Sequence, residues 1–306
     1  MNDSKRQQCR FITQKHNNFF FNKRNVVGMG FGNKIIKGVN TGEPCFKVFV
    51  AKKESASILK DGNMIPKFYK GMKTDIIQTG KLTFSSLSEK NLPLKFGYSI
   101  GPNGVSTCGT AGCLVKDSCG NYYILSNNHI LSNFDELPIG TPILHPGVYD
   151  SGKYPDDLIA YLSKKIQLLY STEDKKNYNY VDCAIAKIIN PNCVTKKIAF
   201  VGGIKGVQDA EIGMHVKKVG RTTELTTGII TELDALVELA GPNDSTELFD
   251  NQIITTYMSF NGDSGSLLLD SDNHAIGLLN ATGDSFSISN PIKEVLKALK
   301  VSLVTC

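Results

Sequence analysis

Ser264 lies in the run Phe260-Asn-Gly-Asp-Ser-Gly-Ser266, between Gly262 and Gly265 and just before the apolar Leu267-Leu-Leu269. Glycines on either side of a serine permit a tight turn with unusual dihedrals and close approach of a substrate or another backbone. Such a turn can present a nucleophilic hydroxyl beside free backbone N–H groups. A serine hydroxyl attacks poorly at neutral pH unless a base stands within hydrogen-bond reach. His129 is the base this pattern offers, at the exit of the β-rich run Tyr122-Tyr-Ile-Leu-Ser-Asn-Asn-His129. Asp182, at the mouth of the apolar run Cys183–Ile189, is of the type that fixes the tautomer of an imidazole and stabilises its charged form. Together the three types support acyl transfer, in which the histidine takes the serine proton during attack and later gives it to the leaving amine.

The chain order, histidine, then aspartate, then serine, is that of the chymotrypsin-type triad. The stretches Leu125-Ser-Asn-Asn-His129, Asp182-Cys-Ala-Ile-Ala186, Gly220-Arg-Thr-Thr223 and Gly262-Asp-Ser-Gly265 resemble the trypsin-like serine proteases. With Tyr98-Ser-Ile-Gly101 and Gly109-Thr-Ala-Gly-Cys113 added, the wording is similar to bacterial chymotrypsin-fold proteases related to the plant narrow-leaf protease group. The resemblance covers Tyr98 to the C-terminus. It implies two six-stranded β-barrels with a C-terminal helix, His129 and Asp182 on the first barrel, Ser264 on the second, and substrate between them. It also implies backbone N–H groups of Gly262 and Ser264 as the oxyanion hole, with Asp263 shaping the turn. The matching positions for the specificity pocket are Met258, Leu279, Asn280 and Asp284. Met258 and Leu279 bring no charge, so the expected pocket is apolar, with Asp284 entering it only if the loop after Thr282 folds inward.

Competing readings are weaker. An α/β-hydrolase elbow needs glycine where Ser266 stands and a histidine well beyond the serine, which only His274 could supply. Gly28, Gly30 and Gly32 lack the third glycine of a dinucleotide loop and precede a β-rich stretch. Cys108, Cys113 and Cys119 lack the paired short spacing of a zinc ribbon, so no metal and no cofactor are expected. His145 reads as a loop residue, His215 as a strand residue and His274 as a turn residue, His16 lies in a poorly patterned N-terminal stretch, and Asp156-Asp157 read as turn and strand-entry residues. A non-enzymatic alternative stays open: an inactive or partner-gated protease fold that acts as a protein-binding module.

The 306 residues carry a formal charge of +5, with 41% hydrophobic and 21% charged residues, as in an ordinary globular protein with a core to bury. No basic run or aromatic–basic interleaving suggests nucleic acid. No stretch is long enough to span a membrane. The charged N-terminus, with Phe19-Phe-Phe21 followed at once by Lys23-Arg24, does not read as a secretory signal. The expected location is therefore cytoplasmic, with eight reduced cysteines; the residue after His129 is Ile130, not the cysteine of secreted animal relatives.

The elements that must position the site begin late. Residues 1–92 read as a small α/β accessory module. Its expected parts are strands at Asn25–Gly32, Cys45–Ala51 and Thr74–Thr79, a turn at Gly42-Glu-Pro44, a short helix at Glu54–Leu59 and a connector from Lys81 to Pro93. This module is the expected contact for a regulatory protein or a second copy. Residues 93–306 read as the protease portion, with one barrel at about 98–200 and the other at about 201–306. Many short strands with Gly, Asn and Asp between them fit closed β architecture. Asn290 and Pro291 read as the cap and first residue of a closing helix with Ile292, Val295, Leu296 and Leu299 on one face.

Overall fold

The computed structural model describes every residue except 1, 37–38, 56, 60–61, 81–86, 173–174 and 243–244. It divides into two compact units, Met1–Ser85 and Ser86–Cys306. Residues 87–92, read from the sequence as part of the accessory module, go with the second unit, where Leu87 is buried in the core. Residues 81–86 of the expected connector lie outside the described residues.

In the first unit, helices α1 (Asn2–Lys15) and α2 (Asn17–Phe21) precede strands β1 (Val26–Ile36), β2 (Val39–Val50), β3 (Phe68–Tyr69) and β4 (Met72–Gln78). The sheet order is β1-β2-β4-β3, with β2 and β4 parallel. Alternate β2 residues Phe46, Val48 and Val50 face Cys9, Ile12 and Phe20 in one apolar cluster. The spacing of Cys9 and Ile12 is the helical signal in an otherwise polar stretch. Gly42-Glu-Pro44 is not a turn but part of β2. Proline is tolerated there because β2 pairs only with β1 at Pro44; its pairing with β4 begins at Phe46. The expected helix at Glu54–Leu59 is a single turn closed on the Ser55 carbonyl, too short to propagate; Ala56 is outside the described residues.

The second unit runs through β5 (Leu94–Phe96), β6 (Ser99–Pro102), β7 (Gly109–Thr110), β8 (Cys113–Lys116), β9 (Tyr122–Ser126), α3 (Asn128–Leu131), β10 (Pro142–Leu144), β11 (Leu158–Lys165), β12 (Tyr178–Asn179) and β13 (Ala184–Ile188). It continues through β14 (Val194–Ile198), β15 (Gly202–Gly203), β16 (Gly206–Val207), β17 (His215–Gly220), β18 (Glu224–Ala240), β19 (Thr246–Thr256), β20 (Leu267–Asp270), β21 (His274–Thr282), β22 (Phe286–Pro291), α4 (Ile292–Leu299) and β23 (Ser302–Leu303). One sheet has the order β23-β8-β9-β13-β11-β10-β6-β7. A second has β12-β19-β18-β17-β20-β21-β16, with β22 joined to both β19 and β21, and β15-β14-β5 form a small third sheet. β18 is kinked where Asp234 takes a φ of 52° and the pairing register shifts.

One core joins the two sheets: Ile124, Leu125 and Ala186 pack in the same cluster as Leu267, Leu278 and Val295. Helix α4 buries Ile292, Val295 and Leu299, each worth about 1.5–3 kcal/mol when withdrawn from water. A charged residue at Val295 would break that seam. The helix begins at Ile292, and Asn290 does not cap it; its side chain is committed to Asp182 and to the Leu278 carbonyl instead.

Candidate active site

The register of β9 against β13 sets the first half of the site. Ser126 pairs with Ala184, so the residues that follow β9 meet those that precede β13. Tyr123 to Ser126 are all buried, which fixes this exit, and the single helical turn α3 then carries His129. Asp182 is buried, and its Oδ1 accepts the backbone N–H groups of Asn128 at 2.6 Å and His129 at 3.2 Å. Its Oδ2 accepts the His129 Nδ1–H, which leaves Nε2 as the basic nitrogen. Asn290 holds the aspartate from behind: the Asp182 N–H donates to Asn290 Oδ1 at 3.1 Å, and the Asp182 carbonyl accepts from Asn127 Nδ2 at 2.7 Å. The Phe134 ring lies 5.5 Å from the imidazole. Burial pulls the His129 pKa down, but the charge and hydrogen bond of Asp182, with help from Glu247, outweigh it and hold the imidazole above its ordinary value.

The second half is the turn at Ser264, where Gly262 and Gly265 adopt φ values of 96° and 92°. A Cβ on Gly265 would come within 2.3 Å of the Thr110 carbonyl, so close approach as well as dihedral demands glycine there. Thr110 ties the turn to the first sheet: its N–H donates to the Ser264 carbonyl at 2.8 Å and its hydroxyl to the Gly262 carbonyl at 2.9 Å. Among the described residues, the N–H groups of Gly262 and Ser264 have no acceptor, as donors awaiting a developing oxyanion must. The Ser264 hydroxyl does not bond His129; it donates to the Asn280 carbonyl at 3.1 Å.

Asp263 anchors the same turn inside the protein. Its carboxylate accepts the N–H groups of Thr222, Thr223 and Phe260 and the Thr223 hydroxyl, and it lies 3.0 Å from Lys218 Nζ. Both charged side chains are fully buried. Gly220 must be glycine for this carboxylate to fit, since a Cβ would stand 2.4 Å from Asp263 Oδ1. Beside it Arg221, in the turn between β17 and β18, grips Asp150, in the connection between β10 and β11, through two nitrogens.

Beside Ser264 is a cavity of about 190 Å³ lined by Ser259, Phe260, Asn261, Ser264 and Leu279–Thr282. Two of the expected pocket residues, Leu279 and Asn280, line it, and two do not. Met258 turns into the second-sheet core with Val216, Ile230 and Leu268, seated over Gly228. Asp284 is exposed and away from the lining. The wall is more polar than expected, because Ser259 Oγ bonds both Thr282 Oγ1 at 2.7 Å and Ser287 Oγ at 2.6 Å.

The structure aligns with Thermobifida fusca Protease A over 69% of this chain and 98% of that one, at 19% identity and a TM-score of 0.50. The fold is that of the trypsin-like serine proteases. Cellulomonas bogoriensis chymotrypsin aligns over 69% and 98% of the two chains at 18% identity and a TM-score of 0.49. Nocardiopsis protease does so over the same shares at 16% identity and a TM-score of 0.49. No protein-family model and no curated relative matches the sequence. The chymotrypsin-like fold is mostly β with curled sheets, as the sequence led us to expect.

Sequence reasoning missed Lys218, Glu247 and Asn290. Glu247 is a buried carboxyl on β19 whose Oε1 has no hydrogen-bond partner. Burial, and then the charge of Asp182, push its pKa up to about 7. The three cysteines weighed as ligands are scattered in kind: Cys113 is buried, Cys108 half-buried beside Asp150, and Cys119 exposed. Among the described residues, no helix is long and apolar enough to cross a membrane.

Proposed function

We propose that the second unit is a serine endopeptidase that hydrolyses peptide bonds through an acyl-enzyme on Ser264. The observation that carries this reading is the His129 Nδ1–H bonded to a buried Asp182, with Nε2 left as base, in a chain whose Ser264 stands beside two N–H groups that have no acceptor among the described residues. In the reaction Ser264 Oγ leaves the Asn280 carbonyl by rotation about χ1 and gives its proton to His129 Nε2 as it attacks the scissile carbonyl. Gly262 and Ser264 N–H stabilise the oxyanion, each such donor being worth about 3 kcal/mol. His129 then protonates the leaving amine, and water repeats the sequence to free the acid. The cavity at Ser259–Asn261 and Asn280–Thr282 receives the side chain before the cut, and its lack of charge favours a small, uncharged one.

The substrate is a protein or peptide, read here as a restricted intracellular target, and residues 1–85 form an accessory unit without triad chemistry. The test is cleavage of a proteome-derived peptide library, with Ser264→Ala as the blank. Cuts that vanish in the variant support the reading; cuts that survive overturn it. A second reading, a gated protease fold, is favoured by the Ser264–Asn280 hydrogen bond, which holds the hydroxyl off the base. It predicts labelling and cleavage only once a partner is added.

A further inference from the structure

A second cavity, far from Ser264 in sequence, belongs to the first unit. It has a volume of about 720 Å³ and is lined by residues between Arg24 and Ile76. Two of its basic residues are paired, Arg24 with Glu54 and Lys73 with Glu43. Four more, Lys34, Lys52, Lys53 and Lys67, have no carboxylate within ion-pair reach among the described residues. Of the two acids in the lining, Glu54 meets Arg24 through Oε1 while its buried Oε2 has no hydrogen-bond partner among the described residues, and Asp75 meets Lys47 and the Ile35 N–H. The cavity floor is apolar, from Val50, Ile65 and Ile76.

β4 contributes Lys73–Ile76 to this cavity, and one of its edges is open from there on. β4 pairs with β2 along one side from Thr74 to Gln78, but on the other side β3 covers it only at Met72 and Lys73, and the Thr74 N–H reaches the Lys67 carbonyl. Strand backbone groups alternate sides with period two. The Thr79 N–H points to β2, where it bonds the Val50 carbonyl, so Thr74, Ile76 and Gln78 point the other way. The N–H and C=O of Ile76 and Gln78 are therefore turned to the open side and have no backbone partner among the described residues. An unpaired edge is a template for another strand.

We infer that this cavity is a docking groove for an extended acidic peptide segment of a partner protein, which adds a strand to β4. Strand addition gives affinity through main-chain hydrogen bonds and specificity through alternate side chains. One row of side chains would lie on Val50, Ile65 and Ile76, and the other would place carboxylates against the unpaired lysines. The inference concerns the first unit alone and does not depend on the triad.

The test is fluorescence anisotropy with the full-length Ser264→Ala protein and a fluorescein-labelled ten-residue peptide of alternating Glu and Val, against a matched Lys–Val peptide. The acidic peptide should bind, and Lys52→Glu with Lys67→Glu, both exposed positions, should weaken it at least about tenfold, as added salt should also do. The same peptide N-methylated at alternate residues keeps its charge but cannot form the ladder, and should bind at least about tenfold more weakly. Equal binding of the Lys–Val peptide, indifference to the lysine reversals, or unchanged affinity of the N-methylated peptide would overturn the proposal. So would absence of peptide binding, or tighter binding of ATP or a single-stranded oligonucleotide at the same lysines. Circular dichroism of the reversal variant checks that its fold is kept.

Discussion

The Ser264 hydroxyl donates to the Asn280 carbonyl at 3.1 Å, and not to the imidazole of His129. Ser264 is thus tied to β21 through Asn280. Hydrogen bonds of this kind are commonly remade in the substrate complex. The His129–Asp182 half needs no such change.

Because Asp182 and Glu247 outweigh the effect of burial on His129, the imidazole stays protonated to higher pH than an ordinary histidine. Protonated Nε2 cannot accept the Ser264 proton. The rate of Ser264 acylation should therefore rise with pH through a midpoint above about 6.5, the ordinary imidazole value. Asp182→Asn should cut the rate by about ten-thousand-fold through loss of the correct tautomer. Stopped-time labelling from pH 5 to 9 measures both; a midpoint below the ordinary value would contradict the assignment.

Glu247 gives a stability test with the opposite sign from a salt-bridged acid. Its folded pKa of about 7 lies above its unfolded value, so the folded state holds the proton longer. Stability should fall as pH rises from the ordinary carboxylate range to about 7, by at most on the order of 3 kcal/mol. Glu247→Gln should remove this slope, so that the variant gains on the wild type as pH rises. Urea unfolding at pH 5 and pH 8 checks it, and parallel slopes would contradict it.

Lys218 and Asp263 are both fully buried, so removing one strands the other. Lys218→Met should cost about 3–5 kcal/mol. It should also loosen the turn that carries Gly262 and Ser264. Chemical denaturation reads the first effect and acylation rate the second; a variant as stable and as reactive as wild type would show that the pair does not hold the turn.

The cavity beside Ser264 has a volume of about 190 Å³ and no charged lining residue. Library cleavage should favour small, uncharged side chains before the scissile bond. A strong preference for Arg or Lys would contradict the pocket as described and bring Asp284 back into consideration.

His129, Asp182 and Ser264 were legible because each sits in a short local signature, and chain order tied the three together. What supports them was not, because its partners are remote in sequence. Lys218 in the strand His215–Gly220 reads as a solvated lysine until its pairing with Asp263 is seen. Asn290 reads as a helix cap beside Pro291, yet the Asp182 backbone claims its side chain. Met258 sits at the expected distance from the nucleophile, but distance along the chain does not say which side of the wall its side chain takes, and Gly228 opens room on the core side. The strands of the second unit were largely readable from apolar runs, whereas α1 was hidden by its polar surface.

The central claim is that Ser264 is a nucleophile activated by His129. Intact-mass spectrometry of the full chain after treatment with a fluorophosphonate, with peptide mapping of the adduct, tests it most directly. The account predicts one adduct, on Ser264, absent from Ser264→Ala and strongly slowed in His129→Ala. An adduct that persists in Ser264→Ala, or a wild-type protein left unlabelled, would contradict it.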